Sequence, residues 1–333
     1  MPPGPIATPG YHGYVLAVHL EEGAVTVRDI PVPERPPGFA LLRLVVGGIC
    51  NTDLELQRGY HGFAGTPGHE FVASVVEADT PALVGQRVVG EINLACHACE
   101  WCAKGLGRHC PHRTVLGIVR HPGAFQEFFT LPERNLHLVP EGIPTERAVF
   151  TEPLAAACEI LDQMAIPAGE TVAVLGDGKL GLLVAMALGA HGCRVRLFGR
   201  HREKMSIAAG AGVHAELAGG QLPVAEFGWV VDATGNPEGL GAAAQMVRPR
   251  GTVILKSTVH GAVALDAAPI IVNEITLVGS RCGRFEAALP LLAHPGIRVE
   301  ETIAARYPLC EAPAAFARAA QRGTLKVLLT GQA

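Results

Sequence analysis

The sequence has few charged residues, few aromatic residues and no long hydrophobic run. Charged residues make up 17% of the 333 residues and aromatic residues 5%. No uninterrupted apolar stretch approaches the ~20 residues that a transmembrane helix needs, because glycine or a charged residue interrupts each one. The opening segment MPPGPIATPGYHG also lacks the apolar core of a signal peptide. We therefore expect a cytoplasmic protein with no membrane partner.

An excess of basic charge is absent as well. Lysine and arginine total 27 and aspartate and glutamate 31, which gives a formal net charge of −4. Nucleic acids and anionic surfaces select strongly basic patches, so neither is an expected partner, and a small molecule is the expected ligand. Hydrophobic residues account for 49% of the chain. This composition excludes charge-driven disorder, and the length corresponds to about two domains.

Cysteine is concentrated in one short segment. Four of the nine cysteines occur between Ala95 and Cys110 at C-x2-C-x2-C-x7-C spacing: Cys96, Cys99, Cys102 and Cys110. Four thiolates this close along the chain can meet the tetrahedral geometry of a closed zinc site. An iron–sulfur cluster uses the same ligands, and a redox cluster or disulfides would use the same residues. The spacing predicts a metal site but leaves the iron–sulfur alternative open, and the motifs described below are what favour zinc.

The remaining cysteines are scattered. We expect four of them to be small buried apolar side chains, namely Cys158, Cys193, Cys282 and Cys310. Cys50 belongs to a second group of polar residues described below.

The pattern of hydrophobic residues changes along the chain. Residues 13–138 contain short strand-like runs separated by proline and glycine, which predicts a largely antiparallel, barrel-like β domain. From Thr171 onward, apolar runs of four to six residues alternate with alanine-rich helical stretches, a pattern typical of a doubly wound parallel sheet. We place the boundary at a linker helix near Glu152 to Met164, so the protein is α/β with two domains.

A glycine-rich loop follows the first strand of the second region. The predicted strand Thr171–Leu175 leads into G-D-G-K-L-G, after which a helix is predicted. In such loops the first glycine makes the turn, the second lets the backbone approach a pyrophosphate, and the third packs helix on strand. The strand–loop–helix context predicts dinucleotide binding by Gly176, Gly178, Lys179, Leu180 and Gly181.

The next strand indicates which dinucleotide. Arg194 to Phe198 ends at Gly199, where NAD-selective folds usually carry an acid for the ribose hydroxyls. This chain continues instead with the basic run Arg200, His201 and Arg202. A guanidinium suits a 2′-phosphate, so we predict NADP(H) in preference to NAD(H), with Arg200 as the main contact. The alternative is a solvated basic helix start.

Further polar motifs lie outside these two segments. Cys50 occurs in GICNTD, His69 in GTPGHE and Glu152 in TEPLA. Together with the four-cysteine segment and the glycine loop, in this order, they resemble the zinc-dependent medium-chain dehydrogenase/reductase family, the alcohol and polyol dehydrogenases. The resemblance covers essentially the whole chain.

The resemblance implies a domain arrangement and two zinc ions per chain. A GroES-like catalytic domain would comprise residues 1–153, completed by 283–333, around a Rossmann domain of residues 154–282. One zinc would be structural, on the four-cysteine segment. The catalytic zinc would rest on Cys50 and His69 with a carboxylate, either Glu152 or the neighbouring Glu70.

It also implies roles for residues near the reaction. Thr52 resembles the hydroxyl that passes the alcohol proton toward the cofactor, and Asp53 is a candidate acceptor for the His69 ring N–H. Thr234 and Arg281 follow later strands of the predicted sheet, at the end where such sheets bind ligands, and are candidate cofactor contacts.

The activity implied is hydride transfer between an alcohol or carbonyl substrate and NADP(H) or NAD(H). Glu152 suggests a polyol or sugar dehydrogenase as the alternative enzyme, and a non-catalytic dinucleotide-binding protein is the alternative of another class. A homodimer or homotetramer is implied, with sheet edges joining around Ile275 to Gly279.

Overall fold

The structure is a computed structural model that describes residues 13–258 and 263–331. Most of the opening segment MPPGPIATPGYHG, which we predicted not to be a signal peptide, lies outside the described residues. Within them, no helix combines the length and the apolar character needed to cross a membrane.

The strands, numbered along the chain, are β1 Tyr14–Glu21, β2 Ala24–Pro31, β3 Phe39–Ile49, β4 Glu70–Glu77, β5 Arg87–Gly90, β6 Asn93–Leu94, β7 Thr114–Leu116, β8 Arg120–His121, β9 Phe128–Pro132, β10 Leu136–Leu138, β11 Thr171–Leu175, β12 Arg194–Gly199, β13 His214–Leu217, β14 Phe227–Asp232, β15 Val247–Leu255, β16 Thr276–Gly279, β17 Ile303–Pro308 and β18 Lys326–Thr330.

The helices are α1 Asn51–Gln57, α2 Glu100–Ala103, α3 Thr145–Ala148, α4 Thr151–Gln163, α5 Lys179–Ala190, α6 Arg202–Gly210, α7 Gly239–Met246, α8 Ala268–Val272, α9 Phe285–Leu291 and α10 Ala312–Ala319. Short 3-10 turns connect several of these elements.

The described chain divides into two compact units. The first contains the described residues of Met1–Val149 and Ile303–Ala333, and the second is Phe150–Thr302. Helix α9 packs against α4 within the second unit, so this unit extends to Thr302, whereas the resemblance implied a limit at residue 282. The predicted linker helix appears as α4.

The first unit is built on a seven-stranded sheet. Its order is β10-β5-β4-β3-β18-β17, and β9 pairs with the first half of β3. Every pairing is antiparallel except that of β17 with β18. Strand β3 is central because it pairs with β4, β9 and β18, and its consecutive residues Ala40, Leu41 and Leu42 are all buried. The rings of Phe71 on β4 and Phe129 on β9 meet edge-on, with centroids 4.9 Å apart. This is the expected largely antiparallel, GroES-like β domain.

The second unit contains a six-stranded sheet in which every pairing is parallel. The order is β13-β12-β11-β14-β15-β16. Numbered within the unit, this is 3-2-1-4-5-6, the doubly wound Rossmann arrangement. Its central strands are continuous apolar runs because helices cover both faces. The order reverses between β11 and β14, so ligands are expected at the carboxyl ends of those strands. The predicted Rossmann fold is confirmed.

Candidate functional site

The four-cysteine segment folds so that its sulfur atoms converge. Cys99 immediately precedes α2, and Cys102 lies within that helix. The Sγ–Sγ distances are 3.5 Å for Cys99–Cys102, 3.7 Å for Cys99–Cys110, 3.5 Å for Cys96–Cys110 and 3.9 Å for Cys96–Cys102. A tetrahedron with Zn–S distances of about 2.3 Å has sulfur–sulfur edges of about 3.8 Å. The four thiols therefore fit a single zinc ion.

The alternatives weighed from the spacing fit less well. None of the four cysteines forms a disulfide. In an iron–sulfur cluster the thiolates bind different irons, which holds their sulfurs farther apart than around one ion. The backbone N–H of Cys96 lowers the pKa of the Cys110 thiol to about 6; burial opposes this and the His112 N–H adds to it. Burial and hydrogen bonds with the sulfurs of Cys99 and Cys110 raise the pKa of the Cys102 thiol to about 11. Of these two thiols, Cys110 is therefore the one shifted toward the thiolate form that a metal requires.

Two of the scattered cysteines depart from expectation. Cys158 and Cys193 are buried, but Cys282 is half-buried and Cys310 is exposed. Cys310 lies in a short 3-10 turn before α10, so it does not contribute to the core.

A second cluster forms where β3 ends and β4 begins. Cys50 follows β3 and precedes α1, and Glu70 is the first residue of β4. The antiparallel pairing of Gly48 with Glu70 brings the two segments side by side. As a result, one ligand atom from each of Cys50, His69 and Glu70 lies within 4.8 Å of the others. His69 and Glu70 are buried.

Asp53 ties this cluster together. Its Oδ2 accepts the Cys50 N–H at 2.8 Å, which also caps the start of α1. Its Oδ1 accepts the Gly68 N–H at 3.2 Å and lies 3.3 Å from His69 Nδ1, a contact rather than a well-aligned hydrogen bond. Burial would lower the pKa of the His69 imidazole, but the Asp53 carboxylate and the Cys50 thiolate raise it well above its ordinary value. The cluster thus attracts positive charge.

Phe125 fixes the segment that carries His69. A Cβ on Gly68 would lie 2.4 Å from the Phe125 ring, and one on Gly47 would lie 2.7 Å from it. Gly68 also has a φ of +105°. The Phe125 N–H donates to the Pro67 carbonyl at 3.1 Å, and the Ala124 N–H donates to the Gly68 carbonyl at 2.8 Å. The glycines are therefore required for this ring to pack beside both ligand-bearing segments.

The charge of Glu70 is balanced by a residue from the other end of the chain. Lys326, on β18, donates to Glu70 Oε2, and both side chains are buried. Glu70 Oε1 is buried without a hydrogen-bond partner among the described residues, whereas His69 Nδ1 faces Asp53 Oδ1. A thiol, an imidazole and a carboxylate with an unsatisfied buried oxygen form a donor set that suits zinc.

The other predicted catalytic residues are placed as follows. The Thr52 hydroxyl lies 3.8 Å from Cys50 Sγ, in the first turn of α1. Glu152 lies in the first turn of α4, in the second unit. The fold of the first unit thus brings together four of the five predicted catalytic residues: Cys50, Thr52, His69 and Glu70.

The glycine loop of the second unit has the expected local geometry. Gly176 has a φ of +108°, and a Cβ on it would meet the Ala233 carbonyl oxygen at 2.6 Å. A Cβ on Gly181 would meet the Gly176 oxygen at 2.0 Å, whereas one on Gly178 would meet nothing within 4 Å. Gly178 caps α5, which begins at Lys179 and continues through Leu180. The two outer glycines serve packing, and the middle one faces open space at a helix start.

The later strand ends carry polar side chains that are already engaged. Thr234 donates its hydroxyl to Asp232 Oδ1 at 2.8 Å. Lys256, buried directly after β15, donates to the carbonyl oxygens of Ala156 and Arg281 at 2.5 and 2.8 Å. The Arg281 side chain is exposed. Lys256 therefore holds α4 against the segment after β16.

Sequence reasoning missed Lys256, Lys326, Phe125 and Asp177. Each is a single residue whose partner either lies far away along the chain or belongs to no motif. Two of them had a local signal, because Asp177 lies inside the glycine loop and Lys256 directly follows an apolar run of the second region.

The fold and the two cysteine-containing clusters define a zinc-binding oxidoreductase with a dinucleotide fold. Two family models match the chain: the alcohol dehydrogenase GroES-like domain over residues 36–141 and the zinc-binding dehydrogenase domain over residues 180–294. The D-altritol 5-dehydrogenase of Agrobacterium fabrum is 30% identical over 310 residues, which cover 88% of this chain and 92% of the relative. The L-threonine 3-dehydrogenase of Streptomyces avermitilis is 30% identical, with 94% of this chain and 98% of the relative covered.

Solved structures agree in fold. A zinc-binding dehydrogenase of Sinorhizobium meliloti 1021 bound to NADP has a TM-score of 0.87 and 28% identity, covering 96% of this chain and 100% of the other. An alcohol dehydrogenase of Thermus sp. ATN1 has a TM-score of 0.86 and 28% identity, covering 95% and 100%.

The chain belongs to the zinc-dependent medium-chain dehydrogenase/reductase family. The resemblance seen in the motifs is confirmed. The protein is an alcohol or polyol dehydrogenase that acts on a small molecule with zinc and a nicotinamide cofactor.

Proposed function

We propose that the chain binds two zinc ions with different tasks. Cys96, Cys99, Cys102 and Cys110 hold a structural zinc. Cys50 and His69 hold a catalytic zinc, with Glu70 or Glu152 as the carboxylate. The observation that supports the second site is the convergence of Cys50, His69 and Glu70 within 4.8 Å, together with a buried Glu70 oxygen that lacks a hydrogen-bond partner among the described residues.

Metal analysis tests this proposal. We expect two zinc ions per purified chain, one in Cys50→Ser and one in Cys99→Ala. Glu70→Gln and Glu152→Gln distinguish the two carboxylates, because the direct ligand loses the second zinc and the other does not. A chain that retains both ions in Cys50→Ser would contradict the catalytic site.

Cys50, His69 and a carboxylate would hold the zinc ion, which when bound would supply a Lewis acid for the substrate oxygen. Asp53 holds Cys50 and His69 in place through its contacts with the backbone and the imidazole. Thr52, whose hydroxyl lies beside Cys50, takes up the alcohol proton. The glycine loop and the strand ends of the second unit hold the nicotinamide cofactor that exchanges hydride with the substrate.

Turnover separates this enzyme from a dinucleotide-binding protein without catalysis. Cys50→Ser and His69→Ala should abolish turnover while cofactor affinity, measured by quenching of protein fluorescence, stays nearly unchanged. Cys310→Ser is the matched control because Cys310 is exposed and remote in sequence from the ligand motifs. Full activity in Cys50→Ser would remove this cluster from the mechanism.

The cofactor contacts proposed are Gly176, Gly178, Lys179, Leu180, Gly181, Gly199, Arg200, Thr234 and Arg281. The exposed Arg200 side chain directly after β12 supports a preference for NADP(H). Arg200→Ala should lower kcat/KM with NADP far more than with NAD, while Arg202→Ala, one position into α6, serves as control. Equal losses with both cofactors would reject the role of Arg200.

We propose a polyol as the substrate, with a simple alcohol as the second candidate. Relatives named D-altritol 5-dehydrogenase and D-arabitol-phosphate dehydrogenase support this class, and neighbouring hydroxyls can share contact with one metal. A panel of polyols, sugar phosphates, simple alcohols and the matching carbonyls, assayed with both cofactors, decides between them. Highest kcat/KM on a monohydroxy alcohol would exclude the polyol assignment.

A homodimer or homotetramer in the cytoplasm completes the proposal. Strand β16 is an edge strand, and Leu277 on it is 37% exposed while Ile271 and Val272 on α8 are more than 70% exposed. Exposed edge strands readily pair with a second copy. Light scattering should give an oligomer for the wild type and a monomer for Leu277→Glu; an unchanged mass in the variant would place the interface elsewhere.

A further inference from the structure

Asp177, the second residue of the glycine loop, reaches from one strand end to the next. Its Oδ2 accepts the backbone N–H groups of Arg200 and His201, both at 2.7 Å. The side chain is buried, with 6% of the residue exposed. The loop after β11 is thereby tied to the turn after β12, where the two strands pair side by side.

Gly199 is a glycine because Asp177 occupies the space of its side chain. A Cβ on Gly199 would lie 2.7 Å from both Cβ and Oδ2 of Asp177. An acid at residue 199, the usual position in NAD-selective folds, has no room here. The carboxylate at this strand end comes instead from the loop, a feature that the sequence alone did not reveal.

The same carboxylate orients a histidine. His201 Nδ1 lies 3.1 Å from both oxygens of Asp177, so its N–H donates to the carboxylate. Burial would raise the pKa of the Asp177 carboxyl, but the hydrogen bonds from the His201 ring and from the two backbone N–H groups lower it below its ordinary value. With three donors directed at it, the carboxylate is already satisfied.

The outward-facing groups of the turn are therefore basic. The His201 side chain is 29% exposed, and its Nε2 has no hydrogen-bond partner in the described part of the chain. The Arg200 side chain is also exposed. Because the His201 ring binds Asp177 through Nδ1, its other nitrogen, Nε2, lies on the side of the ring away from that carboxylate.

We propose that Asp177 is a positioning residue for the cofactor's 2′-phosphate: it locks the turn at residues 199–201 and aims His201 Nε2, beside Arg200, at that group. The inference rests on the proposed NADP(H) preference. The competing role is that of an ordinary strand-end acid, which would accept the 2′-hydroxyl of NAD and repel a 2′-phosphate. The two roles predict opposite effects when the charge is removed.

Binding of cofactor fragments separates them without turnover. Calorimetry would compare adenosine 2′,5′-bisphosphate with 5′-AMP on the zinc-loaded wild type, Asp177→Asn, His201→Ala and the double variant. We expect roughly tenfold or greater loss of bisphosphate affinity in each single variant, little further loss in the double variant, and 5′-AMP affinity within about twofold. A merely structural role would weaken both fragments equally.

A matched control is available in the same sheet. His214 Nε2 lies 3.2 Å from Glu216 Oε1 at the start of β13, so His214→Ala removes a similar pair at the opposite end of the strands. It should leave both affinities unchanged.

Each other outcome is decisive. Higher bisphosphate affinity in Asp177→Asn would establish the repelling acid, and unchanged affinity in His201→Ala would remove the histidine; either overturns the inference while the NADP(H) preference stands. Equal affinity of the wild type for the two fragments would overturn both proposals. If Asp177→Asn does not fold, the His201→Ala variant, at a half-buried position, still decides the question.

Discussion

Replacing Lys326 with methionine tests how charge is balanced in the Cys50 cluster. The side chains of Lys326 and Glu70 are 3% and 1% exposed and form an ion pair. Gly48 of β3 pairs with Leu328 on one side and with Glu70 on the other. A Cβ on Gly48 would lie 2.6 Å from Glu70 Oε2. The pair therefore meets across the central strand only because residue 48 is a glycine.

The expected cost follows from burial. Removing one member of a buried ion pair leaves an uncompensated charge and typically costs about 3–5 kcal/mol. Glu70 Oε1 is buried without a hydrogen-bond partner among the described residues, so Lys326 is the group that balances its charge there. Lys326→Met should lose about 3–5 kcal/mol of unfolding free energy. Glu70→Met with Lys326→Met should recover most of it, because apolar side chains of similar volume can replace such a pair at little cost.

The assay is urea unfolding of the first unit. A Trp229→Phe substitution leaves Trp101, the other of the two tryptophans, as a fluorescent reporter in that unit. A Cys50→Ser background disables the proposed catalytic zinc site and leaves the four-cysteine site loaded. In the zinc-loaded parent the loss should be smaller, because the freed Glu70 carboxylate then lies beside the proposed metal.

Two results would refute this reasoning. Solvated surface ion pairs contribute less than about 1 kcal/mol to unfolding free energy. A loss this small in the Cys50→Ser background would mean that water reaches the charges of Lys326 and Glu70. Single losses that simply add in the double variant would mean that the two side chains do not interact.

Three other substitutions test the surrounding structure. Gly68→Ala forces a Cβ against the Phe125 ring at a positive φ, so melting should fall by more than in Gly59→Ala, where φ is +97° and nothing lies within 4 Å; equal losses would dismiss the packing argument. Burial lowers the pKa of Lys256 to about 8 from 10.5, so the unfolded chain binds more protons between these values. Wild-type stability relative to Lys256→Met should therefore rise by on the order of 2–3 kcal/mol as pH increases from about 8 to 10; a flat difference in chemical unfolding would contradict this. Cys99→Ala should lose the structural zinc and with it folding stability, and wild-type melting of the metal-depleted variant would make that zinc dispensable.

Features that depend on neighbours along the chain were predictable. The strands of the second unit are largely apolar runs. The five runs predicted there, VAVL, RVRLF, WVVDA, TVILK and ITLVG, all end within one residue of the observed strands β11, β12, β14, β15 and β16. Strand β13, His214–Leu217, was not predicted because it is short and none of its residues is buried. Its position is set by parallel pairing with β12, which no local pattern encodes.

The candidate site divides in the same way. The convergence of the four sulfurs follows from spacing within one short loop. The cluster of Cys50 and His69 was inferred only from the resemblance of its motifs, since no spacing rule relates two loops separated by a turn and a helix. The basic run after Gly199 was visible in the sequence. That the Asp177 carboxylate occupies the space beside Gly199 was not.

By itself, the sequence determined the four-cysteine segment, the glycine loop and the alternation of strands and helices, because these arise from residues that are close along the chain. Only the tertiary structure decided that Lys326 neutralises Glu70, that Phe125 packs on two glycines beside Cys50 and His69, and that Asp177 occupies the side-chain space of Gly199. These contacts join segments brought together by strand pairing. A single lysine, ring or carboxylate has no periodicity, so its partner appears only when the sheets are assembled.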